Sequence, residues 1–158
     1  FRRIGLIRNP TNFGTSTVAS ADTRRQLYAA IFSSVSGTFT ADEEINQAST
    51  GAVGKVVEYD STNKILYYYQ TRFPDVGTDS NGNQTAFSGA NAITGQSSSA
   101  SATPDTSNST TTNGAVFVSG YSNPELAFDS GDIIYVEERS PITRASDQTE
   151  NIKLIIEF

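Results

Sequence analysis

From Phe39 onward the chain is written in short runs that alternate apolar and polar residues and are cut every few positions by turn residues. The runs "EEINQAS" and "GKVVEYD" flank "TGAVG", and "STNK" then leads into "ILYYYQ". Period-two alternation buries one face of a strand and leaves the other to solvent, and runs this short do not read as helices. Val56, Ile65, Tyr67 and Tyr69 are the β-branched and aromatic types that strands favour. The spacing predicts a meander of three strands over 39–73, which confines the fold to the mainly-β class.

The second half repeats the theme. "FTADEEINQASTGA" (39–52) aligns without gaps to "FSGANAITGQSSSA" (87–100), matching Phe39 with Phe87, Ile45 with Ile93, Ser49 with Ser97 and Ala52 with Ala100. Anchors and turn residues at the same spacing predict two related strand–turn units packed in one sheet system. "AVFVSG" and "DIIYVEE" read as further strands joined by "YSNPELAFDSG", and "NIKLIIEF" as a last one, so a second β unit runs over 87–158.

One segment reads differently. Over 20–36, Leu27, Tyr28, Ile31, Phe32 and Val35 form an apolar stripe at helical spacing, with Ser20 or Asp22 as the N-terminal cap and Gly37 as the stop. The expectation is one amphipathic helix near the N-terminus, either covering a sheet or binding a partner. Before it, "FRRIGLIR" reads as a short strand or as the end of a truncated element, and "NPTNFG" as a turn. Two polar loops are long. The run 74–86 carries Gly, Asn and Asp punctuation. The run 97–114 is Ser/Thr-rich with almost no apolar side chains, and is expected to be flexible or ordered by a partner. The 158 residues suit a single β-rich domain over 1–158 that buries roughly 70% of its unfolded surface. The chain opens on Phe and lacks Met throughout, and so reads as a processed chain or as part of a longer one.

Composition narrows function by removing chemistry. The sequence has no His and no Cys, so no Ser-His-Asp or Cys-His nucleophile can be assembled, and zinc, haem and iron–sulfur sites lose their usual ligands. A net charge of −6 repels phosphate backbones, which argues against nucleic acid. No apolar run has the length of a membrane span or signal peptide. No cofactor and no small-molecule substrate are expected.

Four groups of residues remain as candidate sites. Asp79, Asn81 and Asn83 around Gly82 faintly resemble a calcium loop, but the glycine is misplaced and no glutamate closes the shell, so a turn is the better reading. Glu43, Glu44, Asp132, Glu137 and Glu138 supply carboxylates of the type used in glycoside hydrolysis, with nothing to mark a pair. In "ILYYYQ", Tyr67 and Tyr69 share one face, read as core, and Tyr68 takes the other, where it is an interface candidate. Between Ser140-Pro141 and the last strand, Arg139, Arg144, Asp147 and Glu150 sit in an eleven-residue connection over 140–150, long for a hairpin. Two arginines able to fork onto two carboxylates make either a solvated turn or a clasp for another subunit.

The same closing stretch carries a resemblance. "SGDIIYVEERSPITRASDQTENIKLIIEF" (130–158) combines a Gly-initiated apolar strand, a Glu-x-Arg-x-Pro-Ile turn, "RASDQTENIK" and a terminal apolar strand ending in Phe. It resembles the C-terminal end of the baseplate wedge subunit, the gene-eight product, of T-even-type contractile-tailed phages. "RRIGLIRNP", "GKVVEYD" and "ILYYYQTRF" fit the same family less tightly. The resemblance implies a layered β-sandwich with helices at its margins, a homodimer that packs with other wedge proteins, and no catalytic role or cofactor. It also implies that this chain is the C-terminal part of a longer subunit. The function expected on this basis is a structural subunit of the virion's tail baseplate, assembled in the host cytoplasm and holding its neighbours through loops and strands. A carbohydrate- or receptor-binding tail module and a carboxylate-based hydrolase are the rival readings.

Overall fold

The computed structural model describes residues 3–20, 25–70, 76–127 and 130–138. Its main sheet contains β2 (Tyr28–Ile31), β3 (Glu44–Gln47), β4 (Ala52–Asp60), β5 (Ile65–Tyr69), β6 (Ile93–Gly95), β7 (Ser101–Ala102) and β10 (Tyr121–Ser122), in the order β10-β2-β5-β4-β3-β6-β7. The meander expected over 39–73 is there as β3, β4 and β5, joined by antiparallel pairings. Its second turn closes as the sequence suggests, with Asp60 Oδ1 accepting the backbone N–H groups of Thr62 (2.9 Å) and Asn63 (3.1 Å). The first turn is tighter than "TGAVG", because Ala52, Val53 and Gly54 already belong to β4.

The sheet curls until its ends meet. The chain leaving β2 pairs with the far side of the sheet through Phe32↔Pro104 and Ser36↔Ser101, the latter with both N–H···O bonds at 2.9 Å. A small barrel results, and alternate residues of each strand fill it: Ala30 and Phe32, Ile45, Ala52 and Val56, Leu66 and Tyr68, Ile93, Ala100 and Ala102. Aromatic rings complete the interior, with Tyr68 stacked on Tyr28 (5.7 Å) and edge-on to Phe87 (4.9 Å). Closure leaves the barrel few open backbone edges.

The expected helix over 20–36 is not formed: residues 28–31 are strand β2, and no helix occurs among the described residues. The apolar positions that read as a helical stripe alternate between two faces instead. Ala30 and Phe32 point into the barrel, while Ala29 and Ile31 face outward. That outer face is itself covered by Ala115 and Phe117, from a hairpin of β8 (Thr111–Thr112) and β9 (Ala115–Val116). A strand apolar on both faces gives a continuous run, and periodicity alone does not separate such a run from a helix. Residues 21–24 of the expected helix lie outside the described residues.

The polar run 97–114 is likewise not the loose segment its composition suggests. It supplies β7, β8 and the buried residues Ala100, Ala102 and Pro104. Small side chains let its backbone pack close: a Cβ on Gly37 would lie 3.2 Å from Ala100 Cα.

The internal repeat is structural. β3 and β6 lie side by side and antiparallel, Ile45 opposite Gly95 and Asn46 opposite Thr94. The two units are thus related by an approximate twofold axis through the sheet. Their turns share two bonds. Gly51 N–H donates to Gln47 O at 2.9 Å, as Ser99 N–H does to Gly95 O at 3.2 Å. Ala52 N–H donates to Thr50 Oγ1 at 3.2 Å, as Ala100 N–H does to Ser98 Oγ at 3.1 Å. Gly51 and Ser99 both adopt positive φ, 78° and 58°.

Two buried polar side chains plug the repeat. Glu43 accepts from Thr40 N (2.7 Å), Ser97 N (3.1 Å), Ser98 N (2.9 Å) and Ser98 Oγ (2.8 Å). Gln47 accepts from Ser88 N (2.9 Å) and Thr50 Oγ1 (2.8 Å) and donates to Asn91 O (2.8 Å). Burial raises the Glu43 pKa, but the bonds from Ser98, Thr40 and Ser97 outweigh it and hold the carboxyl below its ordinary value.

Candidate docking surface

Apart from the barrel stands a two-stranded antiparallel ribbon, β1 (Arg3–Arg8) with β11 (Asp132–Glu138). It places Leu6 opposite Tyr135 and Ile7 opposite Ile133, with a bulge between these pairs. Leu6 and Ile7 neighbour each other on one strand and Ile133 to Val136 on the other, so both faces are apolar. Every one of these side chains is open: Ile133 is 70% exposed, Ile134 61%, Val136 57% and Leu6 56%. A run such as "DIIYV" is the pattern of a strand covered on both faces. Singly exposed apolar residues are ordinary, but a contiguous exposed apolar element is the kind of surface on which partners dock, which makes the ribbon the candidate site.

The ribbon's base is tied down. Thr11 N–H donates to Ser130 Oγ (2.9 Å), which donates on to Ala127 O (2.9 Å), and Ala127 N–H returns to Thr11 O (3.0 Å). Gly131 has φ +93°, and a Cβ there would sit 2.7 Å from Arg8 O, so the turn into β11 requires glycine. Arg25 links this base to the barrel. Its backbone N–H donates to Glu125 Oε2 (2.8 Å), and its Nη2 donates to Ser122 Oγ (2.8 Å) and Asn123 O (3.1 Å). Its guanidinium carbon lies 5.8 Å from the centre of the Tyr67 ring. The buried Nη1 has no hydrogen-bond partner, and a guanidinium held over a ring face is stabilised by the ring's π electrons instead. Beside Arg25 lies an open cleft of about 730 Å³, walled by Phe13, Val116, Val118, Tyr121 and Pro124.

The residues singled out from the sequence fall in different places. Arg139, Arg144, Asp147 and Glu150 lie outside the described residues. Tyr68 is 2% exposed and packs inside the barrel, so it offers no surface; the exposed member of the trio is Tyr69, at 40%. With Tyr67 and Tyr68 both buried, the aromatic run is not a platform on which sugars can stack, and the carbohydrate-binding reading loses one of its two supports, the other being the polar loops. Asp79 forms the turn preferred above, its Oδ1 accepting from Asn81 N (2.8 Å) and Asn83 N (2.9 Å), bonds that hold its carboxyl below the ordinary value. Glu43 is a hydrogen-bonded plug, and Glu44 faces Lys55 across β3 and β4. Among the described residues no cluster of three or more carboxylates has the arrangement of a metal site.

Sequence reading missed the ribbon's faces and the Arg25 staple. The faces had a signal, the unbroken apolar run of β11. The staple had none, because its partners Ser122, Asn123 and Glu125 are distant in sequence.

Comparison with known proteins gives one result. A family model described as "Bacteriophage T4, Gp8" matches residues 63–158, more than half of the chain and the span from β5 to β11. No curated protein and no solved structure matches.

Proposed function

Because the chain belongs to the family of Bacteriophage T4 Gp8, a structural protein of the tail baseplate wedge, we propose that it holds neighbouring baseplate subunits through the β1–β11 ribbon while the barrel keeps its shape. The observation that carries this reading is the ribbon itself, apolar on both faces and exposed on both. An element built this way gains its stability on assembly, when a partner removes Ile133, Ile134, Tyr135 and Val136 from water, each by roughly 1.5–3 kcal/mol if covered fully. The role is geometric and non-catalytic. Assembly takes place in the host cytoplasm, and the partners are other wedge proteins together with a second copy of this chain. Residues 1–158 act as a single domain, the C-terminal part of a longer subunit. Arg139 and Arg144, with Asp147 and Glu150, add a clasp close in sequence to the end of β11.

The test is in vitro wedge assembly with the other baseplate proteins of the same phage. Ile133→Asp with Val136→Asp should abolish incorporation while leaving the thermal unfolding midpoint of the isolated chain within a few degrees. Unchanged incorporation removes the ribbon from the interface. Arg144→Ala should weaken assembly more than folding, and equal losses would reduce the clasp to an internal support.

A further inference from the structure

The charges of the ribbon say what kind of strand it takes. β11 runs Ile133-Ile134-Tyr135-Val136 between Asp132 at one end and Glu137 at the other. Its inner edge already holds a strand of matching chemistry: β1 reads Arg-Ile-Gly-Leu-Ile-Arg, apolar in the middle and basic at both ends. The register brings Arg8 opposite Asp132, where they form an ion pair at 3.3 Å. Among the described residues β11 pairs with β1 alone, and the outward N–H and C=O groups of an edge strand form a ready template for another strand.

A second copy fits this edge poorly. Two β11 strands paired about a twofold axis would bring the Asp132 end of one against the Glu137 end of the other. Two β1 strands would likewise bring Arg3 toward Arg8. Like charges opposed across strands are destabilising. The complementary join, β1 of one copy on β11 of the next, is head-to-tail and does not close.

We propose that the outer edge of β11 receives an extended strand of a different baseplate polypeptide, apolar at its centre and basic at both ends, with β1 as the in-chain pattern of that strand. The proposal rests on the ribbon being a docking element, as proposed above, and adds the partner's chemistry and mode of binding.

The test uses the full chain and two synthetic peptides, Arg-Ile-Gly-Leu-Ile-Arg and its charge-reversed form Glu-Ile-Gly-Leu-Ile-Glu, at millimolar concentration, read by amide hydrogen exchange along β11. The basic peptide should slow exchange of the outward-facing β11 amides at least tenfold more than the acidic one. Added salt should weaken the effect, and Asp132→Asn with Glu137→Gln should erase the preference. Equal protection by both peptides, or by neither, overturns the proposal. So does protection of these amides in the free monomer, which would give the edge to the chain's own terminal segment, and so does concentration-dependent growth of the free chain into larger species, which would give it to a second copy. Loss of wedge incorporation in Ile133→Asp with Val136→Asp, together with no peptide preference, would keep the ribbon as the docking element and reject strand addition alone.

Discussion

The barrel and the ribbon are made of the same kinds of residue and treat them in opposite ways. In the barrel, Ile45, Val56, Leu66 and Ile93 are fully buried, and bridges from the chain after β2 close the sheet. In the ribbon, Ile133, Ile134 and Val136 stand open on a pair of strands that no described residue flanks. A two-stranded ribbon is at best marginally stable by itself, so this one depends on its tied base and on what it meets. The chain thus separates a closed, self-buried element from an open one, and under the function proposed above the first holds a shape and the second joins a neighbour.

The sharpest way to break that contrast is to shorten one side chain in each region. Ile45→Ala and Ile93→Ala occupy equivalent places in the repeat and should each cost about 2–5 kcal/mol in denaturant unfolding. Ile134→Ala should change the isolated chain by no more than about 0.5 kcal/mol. A large loss at Ile134 would mean that the ribbon is part of the core. Unequal losses at Ile45 and Ile93 would mean that the twofold relation of the hairpins does not extend to their energetics.

Next in size is the buried carboxylate. Glu43→Gln replaces an acceptor by an N–H₂ donor that faces the N–H groups of Ser97 and Ser98, and should cost about 1–3 kcal/mol at neutral pH. The folded pKa of Glu43 is lowered, so its contribution is complete above the ordinary glutamate range and is lost as pH falls through the folded value. The stability of the native chain should therefore fall on acidification more steeply than that of Glu43→Gln. Parallel pH profiles for the two chains would exclude Glu43 as the source.

Much of the barrel was legible because its strands alternate and its turns carry their own chemistry, as at Asp60 and in the repeat. What was misread follows from one physical fact. β2 is apolar on both faces because hairpin β8–β9 covers it from outside, and long-range cover leaves no periodic mark. That hairpin did have a local sign, the Asn113-Gly114 turn with φ of 49° and 76°, inside a run whose Ser/Thr content suggested disorder. The ribbon shows the converse. Its sequence reads as buried strand, yet Ile133, Ile134 and Val136 stand exposed; under the proposed docking, burial by another chain is written in the same pattern as burial by one's own.

Gly131→Ala tests the hinge between the two regions. With φ +93° and Arg8 O at 2.7 Å from the added Cβ, the substitution should cost more than about 1 kcal/mol locally. The effect should appear as faster exchange of β1 and β11 amides, with barrel amides unchanged. Matched acceleration in both regions would show that ribbon and barrel open as one unit.

The smallest expected effect is the most discriminating about the ribbon. Arg8 and Asp132 form an ion pair at 3.3 Å with both side chains about two-thirds exposed. A pair in that setting contributes a few tenths of a kcal/mol, since water screens it and two long side chains lose freedom to make it. A double-mutant cycle with Arg8→Ala and Asp132→Ala on the isolated chain should give a coupling below about 0.5 kcal/mol, falling further with salt. The same cycle measured on wedge incorporation should give a larger value, because a docked strand removes solvent from the pair and raises its strength. A coupling of equal size in both assays would place this end of the ribbon outside the interface and confine docking to the apolar stretch between Ile133 and Val136.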